Sequence, residues 1–166
     1  MQVSFNSHSN KLIRAFTACV SVVMVAACAM TYEAPTAIAP RVSQPVNAAQ
    51  KAIMDTAEQV LVGDGYQITY ANDAAGTIST APRDLHVTPE QANCGTTMGI
   101  DYLKDKRTET TVAFGVLAEN NRVSVKATIQ GNYRPGDPTQ DITLTCVSRG
   151  VLESQLMNQI TAALAK

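Results

Sequence analysis

Residues 122–129 read Arg122-Val123-Ser124-Val125-Lys126-Ala127-Thr128-Ile129, the cleanest two-residue alternation in the chain. In extended backbone Val123, Val125, Ala127 and Ile129 share one face, and Arg122, Ser124, Lys126 and Thr128 share the other. Such a strand buries one side and leaves the other in water or against a partner. Upstream, Thr111-Val112-Ala113-Phe114-Gly115-Val116 alternates too, and Glu119-Asn120-Asn121 supplies turn chemistry between the two. An antiparallel hairpin follows, with one apolar face that needs a cover.

Covers stand at both ends of the mature chain. Between Val46 and Val62, Val46, Ala49, Ile53, Ala57, Val60 and Leu61 recur at helical spacing opposite Gln50, Lys51, Asp55 and Glu58. Pro45 suits a first helical turn, and Gly63-Asp64-Gly65 ends the helix. From about Gly150, Leu152, Leu156, Ile160, Ala163 and Leu164 form a second apolar stripe. Three further strands are expected at Tyr66–Tyr70, Thr77–Thr80 and Ile142–Cys146, the last with Cys146 on the core side beside Ile142 and Leu144. The stretch from Pro82 to Tyr102, with Pro82, Pro89, Gly95 and Gly99, is the least regular part. The expected fold is α+β: a two-layer sandwich, an antiparallel sheet of four to five strands with an N-terminal and a C-terminal helix packed on one face. The other face would carry Thr111, Arg122, Ser124, Lys126, Thr128, Thr143 and Thr145.

The chain has 166 residues, enough for one domain with appendages. Charged residues make up 16%, and the net charge is −1. That leaves no basic surplus for a phosphate backbone and excludes a dedicated nucleic-acid binder.

Lys11 and Arg14 are the only charges before Glu33, and a 13-residue uncharged run, Ala15 to Ala27, follows them. This is a basic segment and an apolar segment, too short for the roughly 20 residues of a membrane-spanning helix. The run ends in Val25-Ala26-Ala27-Cys28, which resembles the bacterial lipoprotein lipobox. The alternative is an ordinary secretory signal cleaved nearby. The resemblance implies that residues 1–27 are removed and that Cys28 becomes an acylated N-terminus, a durable membrane anchor. Ala29, where an Asp would signal retention in the inner membrane, implies the periplasmic face of the outer membrane. Residues 28–45, with Pro35, Pro40 and Pro45, then read as a tether lifting the domain off the lipid, and 46–166 as a single periplasmic domain.

Cleavage removes Lys11, Arg14, His8 and Cys19, taking the net charge from −1 to −3. With Cys28 lipidated, Cys94 and Cys146 remain, and an oxidising compartment predicts a disulfide between them. Two free buried thiols are the alternative.

Motifs for chemistry are scarce. His86, with Asp84 and Ser79 upstream, permits a nucleophile–base–acid set on paper, but no nucleophile elbow or Gly-rich oxyanion loop accompanies it. Asp101 and Asp105 lie among Lys104, Lys106 and Arg107 and read as a salt-bridged solvent face rather than a metal site; Asp137 and Asp141 read as turn residues. Cys94-Gly95-Thr96-Thr97-Met98-Gly99 reads as a disulfide anchor in a turn. No metal, no cofactor and no enzyme is expected.

A helix ending in Gly65-Tyr66, a strand, Asp73-x-x-Gly76-x-Ile78-x-Thr80, a hairpin and a last amphipathic helix resemble the helix-grip modules of the barrel-assembly-machine lipoprotein C subunit. That resemblance implies a non-catalytic interaction module. The functional expectation is a lipid-anchored envelope accessory protein that binds a protein partner through the open sheet face or the 82–108 segment. A carrier of a small apolar or lipid-like ligand between helices and sheet is the second expectation.

Overall fold

A computed structural model describes residues 31–165. The signal segment, Val25–Cys28 and Ala29 lie outside the described residues.

The centre is a hairpin of two twelve-residue strands, β9 (Thr108–Glu119) and β10 (Arg122–Tyr133). They pair in unbroken register from Glu119↔Arg122 to Thr108↔Tyr133, around a tight turn with Asn121 at φ 62°. Each strand is long enough to take two neighbours end to end along its outer edge. On β9 these are β4 (Thr77–Thr80) and β5 (Arg83–Asp84); on β10 they are β2 (Val42–Pro45) and β11 (Ile142–Ser148). β3 (Ile68–Asn72) lies outside β4, and β6 (Ala92–Asn93) outside β11. The sheet therefore has eight strands, not four to five. The extra ones, β2, β5 and β6, are two to four residues long, too short to show a period.

Helices α1 (Gln50–Gly63) and α2 (Val151–Leu164) cover the face that carries Val123, Val125, Ala127 and Ile129. Ile53, Met54, Ala57 and Leu61 from α1 meet Leu152, Leu156, Met157 and Ile160 from α2 there, all buried. The α+β class with antiparallel pairing is as the alternation requires. α1 starts four residues later than Val46 because residues 46–48 continue along the hairpin turn: the Val46 N–H donates to the Asn121 carbonyl (3.0 Å) and the Asn121 N–H to the Ala48 carbonyl (3.2 Å). Pro45 ends β2 instead of opening the helix, a place an edge strand tolerates. At the other end the N–H groups of Asp64, Gly65 and Tyr66 close on the Val60, Val62 and Leu61 carbonyls, with Gly65 at φ 80°.

End-to-end neighbours leave a gap halfway along each long strand. Phe114 and Ala127 are paired across the hairpin, and each lies where its strand changes neighbour. Their N–H groups point outward with no strand to receive them, and side chains take the role. Buried Thr80 accepts from Phe114 N–H through Oγ1 (2.9 Å), and buried Glu153 accepts from Ala127 N–H through Oε1 (3.1 Å). Buried donors without acceptors are costly, so these two residues close the ladder. Thr80→Val keeps the shape and deletes the acceptor. It should cost about 1–2 kcal/mol by chemical denaturation, while Thr80→Ser should stay close to wild type.

Two segments read as tether are strands. β1 (Tyr32–Glu33) pairs with β7 (Thr96–Thr97), which pairs with β8 (Ile100–Asp101), giving a separate three-stranded sheet. The Tyr32 hydroxyl also accepts from Thr145 N–H (3.1 Å) and donates to Thr145 C=O (3.3 Å), tying β1 to the unpaired edge of β11. A Cβ at Gly95 would overlap the Glu33 carbonyl oxygen, so only glycine lets the N-terminal strand pass there. The prolines interrupt periodicity without keeping the chain off the fold. The folded unit begins by Tyr32, not Val46.

Candidate functional site

Cys94 and Cys146 are joined in a disulfide. It ties the irregular 82–107 segment to β11, and that segment caps one end of the sheet with buried Val87, Ala92, Tyr102 and Leu103. Tyr102 stacks edge-on against Tyr133, ring centres 5.1 Å apart, and against Tyr32 at 5.8 Å. Much of the 82–108 stretch is thus built into the domain, leaving the open sheet face as the broader candidate surface.

That face carries the residues expected of it, but Thr111 is half-buried and Ser124 is buried. Arg122, Lys126 and Thr128 are exposed, as are Thr143 and Thr145 on β11. Ser124 is 6% exposed. Its Oγ lies 2.7 Å from Ser43 Oγ, because β2 docks along this end of β10. Ser124 therefore fixes the N-terminal segment and presents only a small part of its surface, at the wall of the trough between β4 and β10. Nothing in the alternation of β10 could reveal this, since the covering strand lies far away in sequence and has no period of its own.

Between β4 and β10 the face is hollowed. Gly115 has no side chain, and a Cβ added there would meet its nearest atom, the Lys126 carbonyl oxygen, only at 4.0 Å. Around it Arg41, Thr77, Ser79, Leu117 and Lys126 line a shallow trough of about 180 Å³. Arg41 was not among the expected residues; β2 brings it here. The ion pairs among the described residues join Lys51 to Asp55, Arg107 to Asp105 and Arg134 to Glu109, so the trough cations Arg41 and Lys126 are outside them; Arg122 lies further along the same face, opposite Glu119 in the hairpin register. A carboxylate-bearing segment fits this chemistry, with hydroxyls for hydrogen bonds and a small apolar floor.

The paper triad is not assembled. Ser79 belongs to the open face, opposite Gly115, while exposed His86 lines a different groove of about 450 Å³ with Asp84, Lys106, Thr108, Glu109 and Thr110. Asp101 accepts from Leu103 N–H (2.9 Å) and starts a single 3-10 turn, and Asp137 accepts from Thr139 N–H and Oγ1 (3.0 and 2.8 Å) in another. Asp105 is gripped by Arg107, with contacts of 3.0 and 2.6 Å. Among the described residues no group of three His, Cys, Asp or Glu side chains is placed to hold a metal ion. The space between helices and sheet is filled by Ile53, Met54, Leu61, Met157 and Ile160, and what remains is an open groove of about 240 Å³ beside Tyr66, Phe114 and Leu152.

The Arg107 hydrogen bonds hold the Asp105 carboxyl at about 2, below its ordinary 3.8. A carboxyl depressed on folding stabilises above its unfolded pKa and loses that contribution as acid protonates it. Melting temperatures of wild type and Asp105→Asn should therefore differ at pH 6 and converge between pH 4 and 2, the window set by 3.8 and about 2. A gap that stays constant through that window would contradict the ion pair.

No family model and no curated protein matches the sequence. Solved structures give remote likenesses. A TBP-like protein from Parabacteroides distasonis is 14% identical, with 64% of each chain covered and a TM-score of 0.41, so the chain spans less than two thirds of that protein's length. A DUF4468 family protein from Bacteroides ovatus is 12% identical, with 76% of this chain and 85% of that one covered and a TM-score of 0.48. Neither likeness bears on function. Among the described residues no helix is long and apolar enough to cross a membrane.

Proposed function

We propose that the protein is a lipid-anchored lipoprotein of the bacterial envelope, held by acyl chains on Cys28 at the periplasmic face of the outer membrane. Its α+β domain is a non-catalytic module that binds an envelope protein partner. The lipobox-like Val25-Ala26-Ala27-Cys28 carries the anchoring. The disulfide supports it, since Cys94 and Cys146 use up the other cysteines of the cleaved chain in a bond that suits an oxidising compartment.

The observation that carries the binding role is the sheet itself. One face is sealed under two helices, and the other is open, hollowed at Gly115 with the cations Arg41 and Lys126 at the hollow and exposed Arg122 further along the same face. The partner is a protein segment bearing carboxylates. The pattern resemblance to helix-grip modules of outer-membrane lipoproteins points the same way.

In-cell crosslinking with mass spectrometry tests it in three forms of the protein. Wild type should capture a recurrent envelope partner. Cys28→Ala should lose it through release from the membrane. Arg122→Glu with Lys126→Glu should stay on the membrane and lose at least about tenfold in yield, because the reversed charges on the open face would repel the partner's carboxylates. Equal capture by the charge-reversed form would remove the open face from the account.

A further inference from the structure

We propose that the turn between β7 and β8, with Met98 at its tip and Ile100 beside it, rests in the lipid interface, so that the bilayer is a second contact surface of the domain next to the Cys28 anchor. This rests on the reading of Cys28 as lipidated.

Register carries the argument. Tyr32 of β1 pairs with Thr97 of β7, and the strands are antiparallel. The chain running back from Tyr32 toward Cys28 and the chain running on from Thr97 into Met98 therefore leave the small sheet at the same end. Paired Cα atoms across antiparallel strands lie about 5.5 Å apart, and Met98 is the residue after Thr97, so its Cα is within roughly 10 Å of Tyr32. Cys28 is four residues before Tyr32, and four residues reach at most about 14 Å. Acyl chains fix Cys28 at the headgroup boundary. The tip is then within about 24 Å of the anchor, so it can reach the interface when this end of the small sheet faces the lipid, and much of the tether that would have lifted the domain away is spent in β1 and β2.

The side chains suit that layer. Ile38, Met98 and Ile100 are 94%, 85% and 63% exposed, the three most exposed large apolar residues of the described chain. Two of them sit at this turn, and Ile38 follows β1 by five residues. Met98 and Gly99 hold φ values of 50° and 76°, so the turn is a tight two-residue one that projects its tip. Carboxylates mark how deep it goes. Glu33 accepts from Thr96 Oγ1 (3.1 Å), and Asp101 caps the following turn; neither enters hydrocarbon, so the tip alone does.

The test uses the mature lipoprotein recovered from membranes, reconstituted into vesicles of phosphatidylethanolamine with a minor share of phosphatidylglycerol. With Cys28 in thioether linkage and Cys94 bonded to Cys146, the substitution Met98→Cys introduces the sole free thiol, which takes a bimane label; Val62→Cys on α1 serves as the control. Shallow nitroxide lipids should quench the label at position 98 and shift its emission to the blue, and should leave position 62 unchanged. Adding Ile100→Glu to Met98→Cys should abolish the quenching while the disulfide stays intact. A label at 98 open to aqueous iodide, or shielded from iodide and nitroxide alike by a protein, overturns the proposal while an intact mass showing acylated Cys28 leaves the anchor standing. An intact mass with unmodified Cys28 overturns both.

Discussion

Replacing both Cys94 and Cys146 by Ala will lower the unfolding free energy by about 4 kcal/mol. The bond spans 52 residues, and removing a cross-link of that length returns about this much loop-closure entropy to the denatured chain. Few domains of this size could lose so much and remain well folded at 37 °C. The released part is defined: the 82–107 segment carries Val87, Ala92 and Leu103 into the core and is held to the rest of the sheet through β5, β6 and this bond. Urea titrations with and without reductant measure the loss. The slope against denaturant should rise as well, because a chain without the cross-link exposes more surface on unfolding. A loss under about 1 kcal/mol would mean that β5, β6 and core packing hold the segment without help from the bond.

Glu153→Ala is expected to cost about 3 kcal/mol or more. The side chain is fully buried, with Oε1 accepting from Ala127 N–H and Oε2 from Ser148 Oγ at 2.6 Å. Ser148 Oγ in turn accepts from Gly150 N–H (3.1 Å), so one carboxylate organises the start of α2 and the middle of β10. Truncation strands two buried donors, each costing about 1–3 kcal/mol. Glu153→Gln keeps the acceptor for Ala127 and should lose roughly half as much. Glu153→Met is the stringent control: it fills the space and still leaves the Ala127 N–H unpaired. If that variant matched wild type, the gap between β2 and β11 would be closed by something other than this carboxylate.

Glu153 also shows where sequence reading stops. Its position one residue after Leu152 places it at the edge of the apolar stripe of α2, where an acid near a helix start reads as a solvent-facing residue. Only the end-to-end docking of β2 and β11 on β10 turns that edge into a place needing an acceptor. Periodicity found what is long: β9, β10, β11 and both helices, with Ile53, Ala57, Leu61, Leu152, Leu156 and Ile160 buried as their spacing requires. It missed β1, β2, β5, β6, β7 and β8, which are two to four residues long and are held by partners distant in the chain. The disulfide was legible from cysteine arithmetic. Three cations of the open face illustrate both cases. Arg122 and Lys126 follow from alternation, whereas Arg41 joins them because β2 pairs with β10. The same pairing buries Ser124 against Ser43, and this could not be anticipated from a strand read alone.

Position, anchoring and the open face form one account: a domain held close to a membrane by its first folded strand, with one sheet face turned to a protein partner. The anchor is its centre, and the intact mass of the protein recovered from the membranes of a Gram-negative host tests it most directly. The account predicts a chain that begins at Cys28, lacks residues 1–27, and carries diacylglycerol in thioether linkage with a further acyl group on the amine; Cys28→Ser should yield none of this material. A chain with an unmodified Cys28 thiol, or one cleaved at another position, would contradict it.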